Sequence, residues 1–121
     1  EIEGDAKFGD YAKKLAQLNA QWGELTTSVG MKAMQNPEEV GAAAVDYLAF
    51  SGYVVHAYLW LKMALVAQAK LDEGSTEVDF YKGKLATQAF FYQRLLPRAQ
   101  AHAEALTAGA SSLMDIAVEQ F

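Results

Sequence analysis

The sequence predicts an all-α fold: an antiparallel up-down helical bundle of three long helices plus a short C-terminal helix. Three observations predict it. Apolar residues recur at spacings of three and four in the first and third stretches, the period of one helix face. Two pieces of punctuation, Asn36-Pro37-Glu38-Glu39 and Gly74-Ser75-Thr76, separate long helical stretches by short links. No strand is evident among them. With 121 residues, of which 52% are hydrophobic, the chain is one domain by length, can bury a real core and is not disordered.

The first helix is expected from about Asp5 to about Met34. Phe8, Tyr11, Leu15, Leu18, Trp22, Leu25 and Val29 form its core stripe, and Asp5 and Asp10 suit the positive end of its dipole. Asn36 is a good N-cap and Pro37 suits the first helical position, so the second helix starts at Pro37. So short a link makes the two helices antiparallel neighbours.

The second helix is expected to run to about Asp72. Its stretch from Tyr47 to Leu61 is uncharged but shorter than the roughly 20 residues of a membrane span. It also holds Ser51, Gly52 and His56, so a buried central helix is expected and no membrane span. Gly52, costly inside a helix, is expected to let a neighbouring helix approach closely. Gly74 ends the helix, and Ser75 or Thr76 caps the third.

The third helix is expected from about Glu77 to Ala108. Val78, Tyr81, Leu85, Ala89, Tyr92, Leu96, Ala99, Ala103 and Leu106 share one face at 100° per residue. Pro97 kinks or divides this helix after Leu95 or Leu96, and Gly109 stops it. One short helix within Ser111 to Phe121 is expected to pack Leu113, Met114 and Ile116 over the end of the bundle.

Residue chemistry excludes several function classes. A net charge of −5 argues against nucleic-acid binding. A di-iron bundle needs Glu-x-x-His pairs, but Tyr53 and Ala99 stand three residues before His56 and His102. With no cysteine and two separated histidines, zinc is unsupported, and His56 reads as a core or rim imidazole with one hydrogen bond. There is no Gly-x-Ser-x-Gly elbow and no glycine-rich nucleotide loop after a strand. Glu38-Glu39 and Asp72-Glu73 lie at helix ends, outside any apolar setting that would raise a carboxyl pKa. Lys62, between Leu61 and Met63, reads as a lysine that snorkels to water ahead of a buried catalytic amine. No catalytic, cofactor-binding or metal-binding residue is therefore assigned.

One pattern stands out. Phe80 to Ala103 holds four basic residues and no acid, in an acidic chain. Phe80, Lys84, Thr87, Phe91, Arg94 and Arg98 fall on a common face opposite the core stripe, with Leu95 and His102 nearby. The face is either a solvated basic surface or an interaction face of Phe80, Lys84, Phe91, Arg94 and Arg98, since exposed Phe with Arg marks interface anchors and Arg suits phosphates and carboxylates. Adjacent Phe90 and Phe91 cannot both enter one core, so the tail, another domain or another chain must cover one of them.

The segment Phe80-Tyr81-Lys82-Gly83-Lys84-Leu85-Ala86-Thr87, continued by Phe90-Phe91, Leu95-Leu96-Pro97, Gly109 and Leu113-Met114, resembles the C-terminal domain appended to a bacterial acyl-CoA dehydrogenase subfamily. That subfamily includes 3-methylmercaptopropionyl-CoA dehydrogenase-like enzymes. Tyr47-Leu48, Phe50-Ser51-Gly52 and Ala57-Tyr58-Leu59-Trp60-Leu61-Lys62-Met63-Ala64 are similar to that domain's apolar helix. The resemblance spans nearly the whole chain, in the first helix by pattern alone, and rests mostly on packing residues.

The resemblance implies a longer parent that binds FAD and oxidises an acyl-CoA thioester to the 2,3-enoyl-CoA. A glutamate base removes the α-proton and a hydride passes to the flavin. Base and flavin contacts belong to preceding domains, so none is carried onto this chain; Glu77 and Glu104 match no catalytic motif. The chain opens on Glu1-Ile2-Glu3-Gly4 without an initiator Met, and residues 1–121 are expected to be one domain cut from the C-terminus of such a flavoenzyme. The implied partners are the parent's catalytic domains, a second parent copy and the acyl-CoA substrate; the implied location is cytoplasmic. Two other readings stay open: a stand-alone interaction module that self-associates through aromatic faces, and a small-ligand bundle with a pocket lined by Tyr47, Tyr53, Tyr58 and Trp60.

Overall fold

The first helix starts from a clasp. In the computed structural model, which describes residues 2–121, a short 3-10 turn at Ile2–Gly4 folds back on the residues that follow. The Asp5 carboxylate accepts hydrogen bonds from the amides of Lys7 (2.7 Å) and Phe8 (2.8 Å). The Phe8 amide and then the Lys7 amide hold that carboxyl below the usual carboxylate range. A Cβ on Gly9 would lie 2.6 Å from the Glu3 carbonyl oxygen, so only glycine lets the turn close. Helix α1 then runs Gly9–Gln35, and Phe8, Leu18 and Leu25 of the expected stripe are buried.

The link to α2, Glu38–Asp72, is as short as expected. Asn36 is extended, and its side-chain oxygen accepts from the amide of Glu38 at 3.1 Å, the N-cap role. At the other end Gly74 has φ +82°. The Gly74 amide donates to the Leu71 carbonyl and the Ser75 amide to the Lys70 carbonyl, a Schellman closure. Ser75 Oγ accepts from the amide of Glu77, and α3 follows at Val78–Phe90.

The third arm is not one helix. It comprises α3, a π-helical turn at Phe91–Leu95, a 3-10 turn at Leu96–Arg98 and α4 at Ala99–Thr107. Pro97 has no N–H for the carbonyl four residues back, and its ring crowds that carbonyl. The chain widens before it, with the Leu96 amide reaching the Phe91 carbonyl, and tightens after it. The extra residue in the wide turn shifts the helical phase. This is why Gln88, rather than Ala89, is buried, and why Phe91 joins Tyr92 and Leu96 in the core.

Helix α2 is central: α1, α3 and α4 all pack against it, while α1 and α4 touch little. It is long and apolar enough to cross a membrane by length and composition, yet packs three helices along one side. The expectation of a buried helix needs correction. Only one face, including Phe50, Val54, Ala57, Leu61 and Ala64, is buried, and the opposite face is open. Gly52 also differs from expectation, because no atom lies within 4 Å of where its Cβ would stand, so no helix approaches there.

The tail departs as well. Helix α5 is Ser111–Met114 only, followed by a 3-10 turn at Val118–Gln120. Leu113, Met114 and Ile116 are exposed, not packed over the bundle end. One turn of helix offers too short a face to bury all three. The stop at Gly109 does form, at φ +85°, with the Glu39 carboxylate accepting from the Ala110 amide at 3.3 Å.

Candidate functional site

The hairpin turn at Gly74 and Ser75 sets which residues of α2 meet the third arm, since positions equally far from it face each other. Tyr92 therefore reaches α2 at Ala57, donating its hydroxyl to that carbonyl at 2.9 Å. Burial first, and the nearby Tyr11 second, push the Tyr92 phenol well above its ordinary pKa. The Tyr11 ring stands edge-on at 4.9 Å.

Between α2 and α4, His102 Nδ1 and Asp46 Oδ1 are 2.8 Å apart, and the imidazole stacks on Tyr53 at 5.8 Å. Sequence reading missed this pair, 56 positions apart; the hairpin register is the signal that finds it. The pair orients an imidazole, as catalytic dyads do. Its neighbours Tyr53 and Ala99 supply neither nucleophile nor third ligand, and among the described residues no three His, Cys, Asp or Glu side chains converge on a metal position. His56 is an exposed rim residue whose Nδ1 lies 2.7 Å from the Gly52 carbonyl.

The structure divides the five residues of the expected interaction face. Phe80 is exposed, and the Lys84 ammonium sits over its ring at 5.2 Å and over Trp60 at 5.8 Å. Arg94 and Arg98 are exposed on the π and 3-10 turns, with no ion pair to any described residue. Phe91 is the exception: it is 7% exposed and packs near Tyr53, His56 and Tyr92. The Phe standing open is Phe90. The π turn accounts for the exchange, because a face drawn at 100° per residue fails across a turn holding one residue more.

The expected aromatic pocket does not form. Tyr47 and Tyr58 lie on the α1 side of α2, Tyr47 sharing a 2.7 Å hydrogen bond with Thr26. Tyr53 and Trp60 lie on the opposite flank, against Phe91 and Leu95. Lys62 is exposed, with its ammonium over the Tyr58 ring at 5.3 Å, the snorkelling arrangement.

A family model described as "Acetyl-CoA dehydrogenase C-terminal like" matches residues 1–117. The broad-specificity linear acyl-CoA dehydrogenase FadE5 of Mycobacterium tuberculosis is 39% identical over 61 residues, which are 49% of this chain and 10% of that protein. The butyryl-CoA dehydrogenase of Syntrophomonas wolfei is 28% identical over 120 residues, 97% of this chain and 20% of that protein. The chain thus spans a fifth or less of the length of these relatives. No solved structure matches it.

Proposed function

The chain belongs to the acetyl-CoA dehydrogenase C-terminal-like family, and on that premise we propose that it is the accessory C-terminal domain of an FAD-dependent, cytoplasmic acyl-CoA dehydrogenase. The observation that carries the reading is the family match along 1–117, with relatives of which the chain is a small part. The domain packs on the catalytic body and is not catalytic alone. The base and the flavin contacts belong to the rest of the parent. The groove between Leu15, Trp22 and Tyr58 does not fit a flavin: it is apolar, with Asn19 as its one side-chain amide, and no helix N-terminus or basic side chain among the described residues lines it to hold a diphosphate.

Two finer roles follow for the exposed surface. The unpaired Arg94 and Arg98, with Lys84 nearby, support a part in shaping the entrance used by the phosphate-bearing CoA moiety. Exposed apolar residues away from α2, Phe90 and Leu113 among them, support a part in assembling parent dimers.

The test starts from the native polypeptide carrying this segment: its size by immunoblot, its flavin absorbance, and its oxidation of acyl-CoA with an artificial electron acceptor. A chain several times longer, yellow and active, is expected. A colourless, inactive product of this size refutes the reading and leaves the stand-alone interaction module. Replacing Lys84, Arg94 and Arg98 together by Ala in the active parent is expected to raise KM for acyl-CoA; unchanged KM and unchanged oligomeric state remove the entrance role.

A further inference from the structure

Helix α2 has a second apolar face that no other helix among the described residues covers. Val45, Leu48, Val55, Leu59, Met63 and Val66 lie opposite the buried Phe50, Ala57 and Leu61 and are 38% to 78% exposed. With Gly52 they recur at spacings of three and four, the seam pattern of a helix that packs against another. A helix facing water on this side would carry charges, but none occurs from Tyr47 to Leu61, and Lys62 at the edge of the face lays its ammonium over the Tyr58 ring. The bare position of Gly52 leaves a hole in the seam that admits a side chain from an opposing surface. Tyr58 on one flank and Phe80 on the other, both exposed, continue the apolar surface.

We propose that this outward face of α2 docks the domain onto an apolar helical face of the remainder of its own polypeptide. The inference rests on the accessory-domain reading and supplies the contact surface that reading needs. Two considerations select this occupant over a second copy. The first is the tether: a face on the same polypeptide meets α2 at high effective concentration, whereas a second copy must be gathered from solution. The second is length: the butyryl-CoA dehydrogenase is matched over 20% of its length, leaving four-fifths of a chain of that size to provide the opposing face.

The experiment is thiol labelling. This chain contains no cysteine, so Leu48→Cys, Leu59→Cys and, as a control on the outer side of α1, Lys14→Cys each introduce one reactive thiol. Maleimide labelling is followed peptide by peptide by mass spectrometry, in the 121-residue chain and in the full parent polypeptide. In the parent, labelling at positions 48 and 59 is expected to slow at least about tenfold, the mark of a face docked about 90% of the time, while position 14 labels alike in both. A Leu48→Glu, Leu59→Glu double variant is expected to keep the thermal midpoint of the 121-residue chain and to speed proteolysis at the junction in the parent. Equal labelling in both proteins overturns the proposal. So does protection in the 121-residue chain that rises with concentration and doubles its mass, which assigns the face to a second copy. Protection only by vesicles of phosphatidylcholine and phosphatidylglycerol overturns it in favour of a lipid surface. Flavin absorbance and acyl-CoA oxidation, read on the same parent preparation, separate the two failures. An active yellow parent with unprotected thiols removes the docking face alone, whereas a colourless, inactive one removes the accessory-domain reading with it.

Discussion

Replacing Tyr92 by Phe tests the join between α2 and the third arm, and the effect should reverse sign with pH. At neutral pH the change deletes one buried hydrogen bond, from the Tyr92 hydroxyl to the Ala57 carbonyl. That carbonyl lies mid-helix in α2 and keeps its helical partner, so no acceptor is orphaned. The cost is that of an ordinary bond, about 1 kcal/mol. Near 60 °C a chain of this length has an unfolding entropy of about 250 cal/mol/K, so the midpoint should fall by about 4 °C. Alkaline pH works the other way. Burial, and secondarily Tyr11, raise the folded-state pKa of Tyr92 above its unfolded value. The unfolded phenol loses its proton from about pH 10 upward while the folded one keeps it. The unfolded state then binds fewer protons, so wild-type stability falls with pH, by about 1.4 kcal/mol at pH 11 from this group alone. The Phe variant lacks that loss. The two curves should cross between about pH 10.5 and 11, with the variant the more stable above. Urea denaturation of both proteins from pH 7 to 11.5 measures the difference, in which the tyrosines other than the adjacent Tyr11 cancel. A constant gap across that range would refute the burial of the hydroxyl, and no gap at pH 7 would refute the value assigned to its bond.

Three further outcomes are expected. Phe91→Ala should cost about 3–5 kcal/mol in urea denaturation of the 121-residue chain, and Phe90→Ala less than about 0.5 kcal/mol; the reverse order would place the wrong phenylalanine in the core. Gly9→Ala should lose about 1–3 kcal/mol, because its Cβ meets the Glu3 carbonyl, with faster hydrogen exchange at Lys7 and Phe8 as the local signature. A double-mutant cycle of Asp46→Asn and His102→Ala should give a coupling of about 1 kcal/mol or less, since the pair is about a third exposed; zero coupling at low salt would show that the contact contributes nothing.

Local signals were legible. The stripe of α1, the Asn36 cap, and the stops at Gly74 and Gly109 each depend on a few neighbouring residues, and each forms where the sequence places it. Where phase is carried across the π turn, periodicity fails: Gln88 is buried in place of Ala89, and Phe91 is buried while Phe90 is open; beyond Pro97 the expected Ala99, Ala103 and Leu106 do line the core. Helix α2 failed differently. Its middle is apolar all round, so periodicity cannot tell its packed side from its open side, and the expected buried central helix has one side open. In the tail, apolar character does not bring cover: Leu113, Met114 and Ile116 stand exposed because a single helical turn presents too short a face. The His102 and Asp46 pair was within reach of the hairpin register, though not of any motif of adjacent residues.

The placement of α2 also bears on how the protein opens. Helix α1 and the third arm both lean on α2 and scarcely on each other, joined by Tyr11 at Tyr92, the paired amides of Gln21 and Gln100, and the Lys32 ammonium on the Thr107 carbonyl. Either arm can therefore lift away while the other stays seated, so the molecule holds two partial openings that do not require each other. Amides of α1 and of α4 should exchange with solvent through separate events, each less costly than complete unfolding. The middle of α2, near Phe50 and Ala57, should be the last stretch to surrender its hydrogens, even though one side of it faces water throughout.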